Sequence, residues 1–137
     1  MRSIITSVAL TGIVFCTFYL AAANPPSVSK VTGMYSDMRL QPQTGDLLGI
    51  EVFVVSSRSG YQVVFQDAEG SPSVPLVVPA RIDNVHIEFE LPQRAGYSGK
   101  FSGQITRYGI KGEFADGQLS SSGEKSFILK KGKSYWQ

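Results

Sequence analysis

The chain has 137 residues, 42% of them hydrophobic and 18% charged, with a formal net charge of +2. So even a balance excludes both the broad positive field of a nucleic-acid binder and a strongly acidic surface. With one cysteine and one histidine, the sequence holds neither a disulfide framework nor the several His or Cys ligands that a zinc site needs.

The first segment reads as a targeting signal. Arg2 precedes an apolar run from Ile4 to Leu20 that closes on Ala21-Ala22-Ala23, the small-residue pattern that a signal peptidase cuts. Cleavage after Ala23 makes residues 1–23 a signal peptide and removes Arg2 and Cys16, which brings the charge to +1. Ser7, Thr11, Gly12 and Thr17 interrupt the run, which is short beside the roughly 20 apolar residues of a permanent span. The expected location is therefore periplasmic or secreted, with no membrane span left after cleavage. Residues 24–30 read as an extended leader, because Pro25 and Pro26 fix φ and withhold donors. Residues 31–137 are long enough for a single β domain with one core.

From Lys30 onward the apolar residues recur with period two, as in half-buried strands. In "VHIEFEL" the residues Val85, Ile87, Phe89 and Leu91 take one face, while His86, Glu88 and Glu90 take the other. Eight strands are predicted, over 32–40, 48–55, 61–66, 74–79, 85–91, 100–106, 110–115 and 125–130. The gaps, such as "QTGD", "SRSG", "AEGS", "RIDN" and "TRYG", carry the Gly, Asn, Asp and Ser residues of tight turns. No helical period is sustained. The pattern predicts an all-β antiparallel meander, and an even strand count lets the first and last strands pair and remove both edges. A small β-barrel is expected. Pro72, Pro75 and Pro79, in or beside the fourth strand, mark it as an edge, so an open barrel or a β-sandwich is the alternative. The inward face is predicted to carry Met34 and Met38 on the first strand, then Ile50, Val52, Val54, Val63 and later residues such as Phe89 and Phe114. Gly103 and Gly112 fall at inward phase, where they bend their strands or open a cavity.

Gly33-Met34-Tyr35 resembles the opening strand of calycin-type barrels, in which lipocalins and avidins carry Gly-X-Trp. "TGMYSDM" is similar to the avidin opening, although Tyr35 stands where the tryptophan would be. The resemblance implies an eight-stranded barrel. It also implies a basic residue of the last strand set against that aromatic ring, a part open to Lys130 or Lys131. The chain as a whole also resembles small exported bacterial proteins.

No residue set points to catalysis. His86 is the lone histidine and is expected to face outward; Glu88 and Glu90 read as a solvated strand face; "GYSGKFSG" lacks the following helix of a phosphate loop. No catalytic residue, metal ligand or cofactor is expected. The sequence therefore reads as a non-enzymatic binding or interaction protein. Its ligand would be a small apolar molecule held inside the barrel by Tyr35, Met38, Phe65, Phe89, Phe101 and Trp136. The alternative is a structural or inhibitory envelope protein with a filled core, acting through its surface. The partner is then a small molecule or an envelope protein, not nucleic acid. At the C-terminus, "FILKKGKSYWQ" sets Lys125, Lys130, Lys131 and Lys133 near Tyr135-Trp136. The lysines guard the sheet while Trp136 covers a barrel mouth, or the whole forms a patch for an anionic surface.

Overall fold

A computed structural model describes residues 30–93, 97–115 and 126–137. The expected signal peptide, residues 24–29 of the leader and Lys125 lie outside the described residues. The described chain is all β, with strands β1 (Gly33–Ser36), β2 (Arg39–Leu40), β3 (Leu47–Ser57), β4 (Gly60–Pro72), β5 (Leu76–Asp83), β6 (His86–Leu91), β7 (Gly99–Ile105), β8 (Gly109–Phe114) and β9 (Ser126–Gly132). Neighbours in sequence pair antiparallel from β3 to β9, and β1 pairs with both β9 and β3. That double pairing closes the sheet. Eight strands make the barrel and β2 is an extra piece.

β2 is the continuation of β1. Both pair with β3 in one register, from Gly33 opposite Val54 to Leu40 opposite Leu47. The break falls at Asp37, whose N–H still donates to the Ile50 carbonyl at 3.0 Å. The Ile50 N–H, however, donates to the Asp37 side-chain Oδ1 at 2.6 Å, so the carboxylate stands in for a ladder carbonyl and the strand bends. Gly49 makes the bend possible: its φ is +116° and a Cβ there would lie 2.8 Å from the Asp37 carbonyl oxygen.

The first-strand phase differs from the expectation. Tyr35, with Val52 opposite, is fully buried, while Met34 and Met38 are half-buried on the other phase. Methionine is the more apolar residue, but the tyrosine hydroxyl donates to the Val31 carbonyl at 2.6 Å, so its ring goes inside with its polar end satisfied.

The proline-rich fourth strand is not an edge. β5 pairs with β4 over residues 76–80 and with β6 over residues 80–83, changing partner at Ala80. Continuing the β5–β6 register by one step would set Pro79 opposite Glu90, and there the ladder stops because proline has no N–H to give. Residues 76–79 thus pair only with β4 and residues 81–83 only with β6, and Ala80 alone pairs on both sides, so the strand bridges its two neighbours. β4 also runs past the turn predicted at "AEGS": Gly70 has φ +93° and lies opposite Leu47, bending the strand without ending it.

Inside, Ile50, Val52, Val54 and Val63 meet Phe65, Phe89, Phe101, Phe114, Phe127 and Leu129 in one cluster. The outer wall carries His86, Glu90, Lys100, Lys111 and Glu113, all exposed. Apolar inside and charged outside is the inverse of a barrel that spans a bilayer.

Candidate functional site

Of the six residues expected to hold an internal ligand, Tyr35, Phe65, Phe89 and Phe101 line the interior, whereas Met38 and Trp136 do not join them. The interior rings pack on each other. Phe89 stacks on Phe101 at 4.7 Å between centroids, and Phe114 meets Phe65 edge-on at 6.3 Å and Phe101 at 5.2 Å. Tyr97, from the connection between β6 and β7, inserts among them, stacked on Phe114 at 5.5 Å and edge-on to Phe65 at 6.1 Å. Sequence reading missed Tyr97, because an aromatic between glycines and serines carries no strand period. Its one signal was a large ring in a connection otherwise made of small and polar residues.

Gly103 and Gly112 are buried, and the inward position of each is taken by other groups, while on the outer wall both line an open depression of about 410 Å³ with His86, Lys111 and Glu113. A Cβ on Gly103 would stand 2.9 Å from the Phe101 ring and 3.0 Å from Ile110. A Cβ on Gly112 would run into the tip of the same ring and stand 2.7 Å from the Ser102 carbonyl oxygen. The glycines are small because Phe101 occupies the space above them.

At the seam, Tyr35 lies opposite Lys131. The Lys131 ammonium lies 5.4 Å from the Tyr35 ring centroid and donates to the Lys30 carbonyl. Of the two lysines considered, Lys131 takes this place. Gly33, with φ +138°, leaves the lysine stem room: a Cβ would touch Lys131 Cε at 3.4 Å. Burial raises the Tyr35 hydroxyl above its usual pKa of 10.0.

The outer wall of β6 and β7 brings together a serine, a histidine and a carboxylate. Ser102 Oγ is 3.3 Å from His86 Nε2, and Glu88 Oε1 is 3.5 Å from that same nitrogen. A relay needs the hydroxyl on one ring nitrogen and the acid on the other, so two partners on Nε2 do not form one. Lys100 also holds Glu88 at 3.1 Å, and its hydrogen bond, with smaller contributions from its charge and from His86, keeps the carboxyl below the usual range. Arg81, Asp83, His86 and Glu88 line an open depression of about 320 Å³ here. It is a solvated polar face.

Comparison of the chain with protein-family models, with curated proteins and with solved structures finds no match.

The C-terminal segment lies on the opposite wall. Glu51 is 6% exposed although its phase is outward; Ser134 Oγ donates to its Oε1 at 2.6 Å and the Tyr135 N–H to its Oε2 at 2.8 Å. The Trp136 indole N–H reaches Gln66 Oε1 at 3.2 Å, and Gln66 is the register partner of Glu51. Trp136 thus rests against the outside of β4 and covers no barrel mouth. Tyr135 packs edge-on to it at 5.1 Å.

Proposed function

We propose that the protein is an exported, non-enzymatic interaction protein whose barrel is filled by its own side chains and which acts through its outer surface. The observation that carries this reading is the Phe101 ring seated over Gly103 and Gly112, at the positions where an internal ligand would need open space. A ligand pocket is a concavity with a few polar groups aimed into it. Here the polar groups of the interior, such as the Tyr35 hydroxyl, already have partners. On this reading the partner is a component of the cell envelope, in keeping with the signal-like N-terminus.

Kinship with calycin barrels is part of the proposal. It is supported by eight antiparallel strands closed in sequence order, with Gly33 and Tyr35 on the first strand and Lys131 of the last against the tyrosine ring.

Native mass spectrometry of the protein purified from its own cells tests the reading, together with titration by a polarity-sensitive apolar dye. The expected result is a bare chain that binds no dye internally, while Phe101→Ala, which vacates the interior, does. A small apolar molecule co-purifying with the wild type at one per chain would overturn it.

A further inference from the structure

The turn between β7 and β8 and the end of β9 enclose a groove of about 440 Å³ on the outside of the barrel, lined by Tyr108, Gly109, Lys111, Ile128 and Lys130 among others, with no carboxylate in its walls. The register builds it, setting Ile128 opposite Lys111 and Lys130 opposite Gly109. Gly109 admits no side chain, because a Cβ would run into the Leu129 carbonyl. A gap is left between Tyr108 and Lys111. The turn over the gap is fixed: Thr106 Oγ1 accepts the N–H groups of Tyr108 and Gly109 at 3.2 Å, and the Lys131 N–H donates to the Tyr108 carbonyl at 2.7 Å.

Two large apolar side chains stand out of this wall, Tyr108 at 69% exposure and Ile128 at 64%. Cations surround them. The Arg107 guanidinium lies 4.5 Å above the Tyr108 ring, and Lys111 and Lys130 form no ion pair among the described residues. Lys131 is committed to Lys30 and Tyr35; Arg107 gives the Tyr108 hydroxyl one of its several N–H donors, so its remaining donors, with Lys111 and Lys130, are the charges on offer.

We propose that this groove seats the headgroup region of anionic phospholipid at a bilayer surface, with Tyr108 and Ile128 entering the interface and Arg107, Lys111 and Lys130 meeting the phosphates. The inference rests on the reading that the protein acts through its outer surface. Charge complementarity selects an anionic occupant. The amphipathic tyrosine ring and the apolar stems of the lysines suit the boundary between water and hydrocarbon. Two apolar side chains cover too little surface to keep a whole acyl chain out of water, so the lipid stays in its bilayer. A peptide is the weaker fit, because β8, beside the groove, pairs with β7 on one side and β9 on the other and offers no edge on which to add a strand.

Hydrogen exchange of the full chain, with vesicles of equal parts phosphatidylglycerol and phosphatidylcholine, reads the groove locally. Residues 106–111 and 128–131 should gain protection, and the gain should fade as salt shortens the Debye length. The double variant Lys111→Gln/Lys130→Gln should lose affinity by about fivefold for each charge removed; Tyr108→Ser should weaken binding without altering the salt dependence. No protection on the anionic vesicles overturns the proposal. So does equal protection by pure phosphatidylcholine, or protection by soluble polyphosphate that matches the vesicles, which would make the groove a general anion site. Any of these leaves the filled-barrel reading to be judged by the native mass and dye measurements alone.

Discussion

Ser134 donates its hydroxyl proton to Glu51 at 2.6 Å, joining two residues 83 positions apart on the outer wall of the barrel. The other carboxylate oxygen takes the Tyr135 N–H, so each oxygen of a buried carboxylate is held by the last residues of the chain. Deleting residues 134–137 should therefore lower stability by about 1–3 kcal/mol, as expected for a charged acceptor stripped of its donors. Glu51→Ala should cost a similar amount, and the two changes together little more than either alone. Urea denaturation of the three variants checks this. Full additivity would show that the pairing contributes nothing.

The indole itself contributes less. Trp136 is 54% exposed, so its emission in the native protein should lie close to that of tryptophan in water. A strongly blue-shifted maximum would mean that it is buried after all.

Phe89 and Glu88 are neighbours with opposite fates. Phe89 is 4% exposed among stacked rings, and Glu88 faces solvent beside Lys100. Phe89→Ala should destabilise by about 3–5 kcal/mol, whereas Glu88→Ala removes only a solvent-screened surface ion pair and should change stability little. Comparable shifts of the denaturation midpoint at both positions would place the register one residue off.

Gly112 and Gly132 separate a filled position from an open one. A Cβ at Gly112 meets Phe101 and the Ser102 carbonyl, while one at Gly132 meets nothing within 4 Å. Gly112→Ala should cost about 1–3 kcal/mol through overpacking. Gly132→Ala should be neutral or slightly stabilising. Thermal melts of the two single variants distinguish the positions, and a tolerated Gly112→Ala would indicate free space inside the barrel.

Tyr35 makes the fold sensitive to alkali. Its folded pKa is raised above 10.0 by burial, while the unfolded phenol ionises near pH 10, its ordinary value. The unfolded chain thus releases its proton first. The stabilising contribution is complete below that pH and is lost as pH rises through the folded pKa. Tyr35→Phe, which also gives up the bond to Val31, should cost about 1 kcal/mol at neutral pH and show a flatter decline in alkali. Parallel pH profiles would overturn this assignment.

Alternation made most of the barrel readable. Ile87, Phe89 and Leu91 are buried as their spacing requires, and the last strand pairs with the first as an even count of strands implies. What the spacing could not show was conformation supplied by single residues. Asp37 replaces a ladder carbonyl with its side chain, Gly70 bends β4 where a turn was expected, and Pro79 stops one ladder without making its strand an edge. The first strand misled for a related reason: Met34 and Met38 are the more apolar pair, but Tyr35 finds an acceptor inside. Within the candidate site the aromatic identities were legible. The interlock was not, because it depends on Tyr97, which no strand carries, and on glycines whose neighbours come from other strands.

The seam also has a temporal consequence. The β3–β4 hairpin pairs along its whole length across a two-residue connection, from Ser57 opposite Gly60 to Leu47 opposite Gly70, and can form from local contacts as soon as that stretch exists. The register of β1 with β9 joins Met34 to Gly132 and Ser36 to Lys130, so closure must wait for nearly the whole chain and pay its loop entropy last. Until then the outer sides of β3 and β9 stand open, each able to accept the β1 segment of another copy. A refolding experiment at rising protein concentration should thus show exchanged dimers appearing in competition with the slowest phase, and their yield should fall when β1 is tethered to the end of β9.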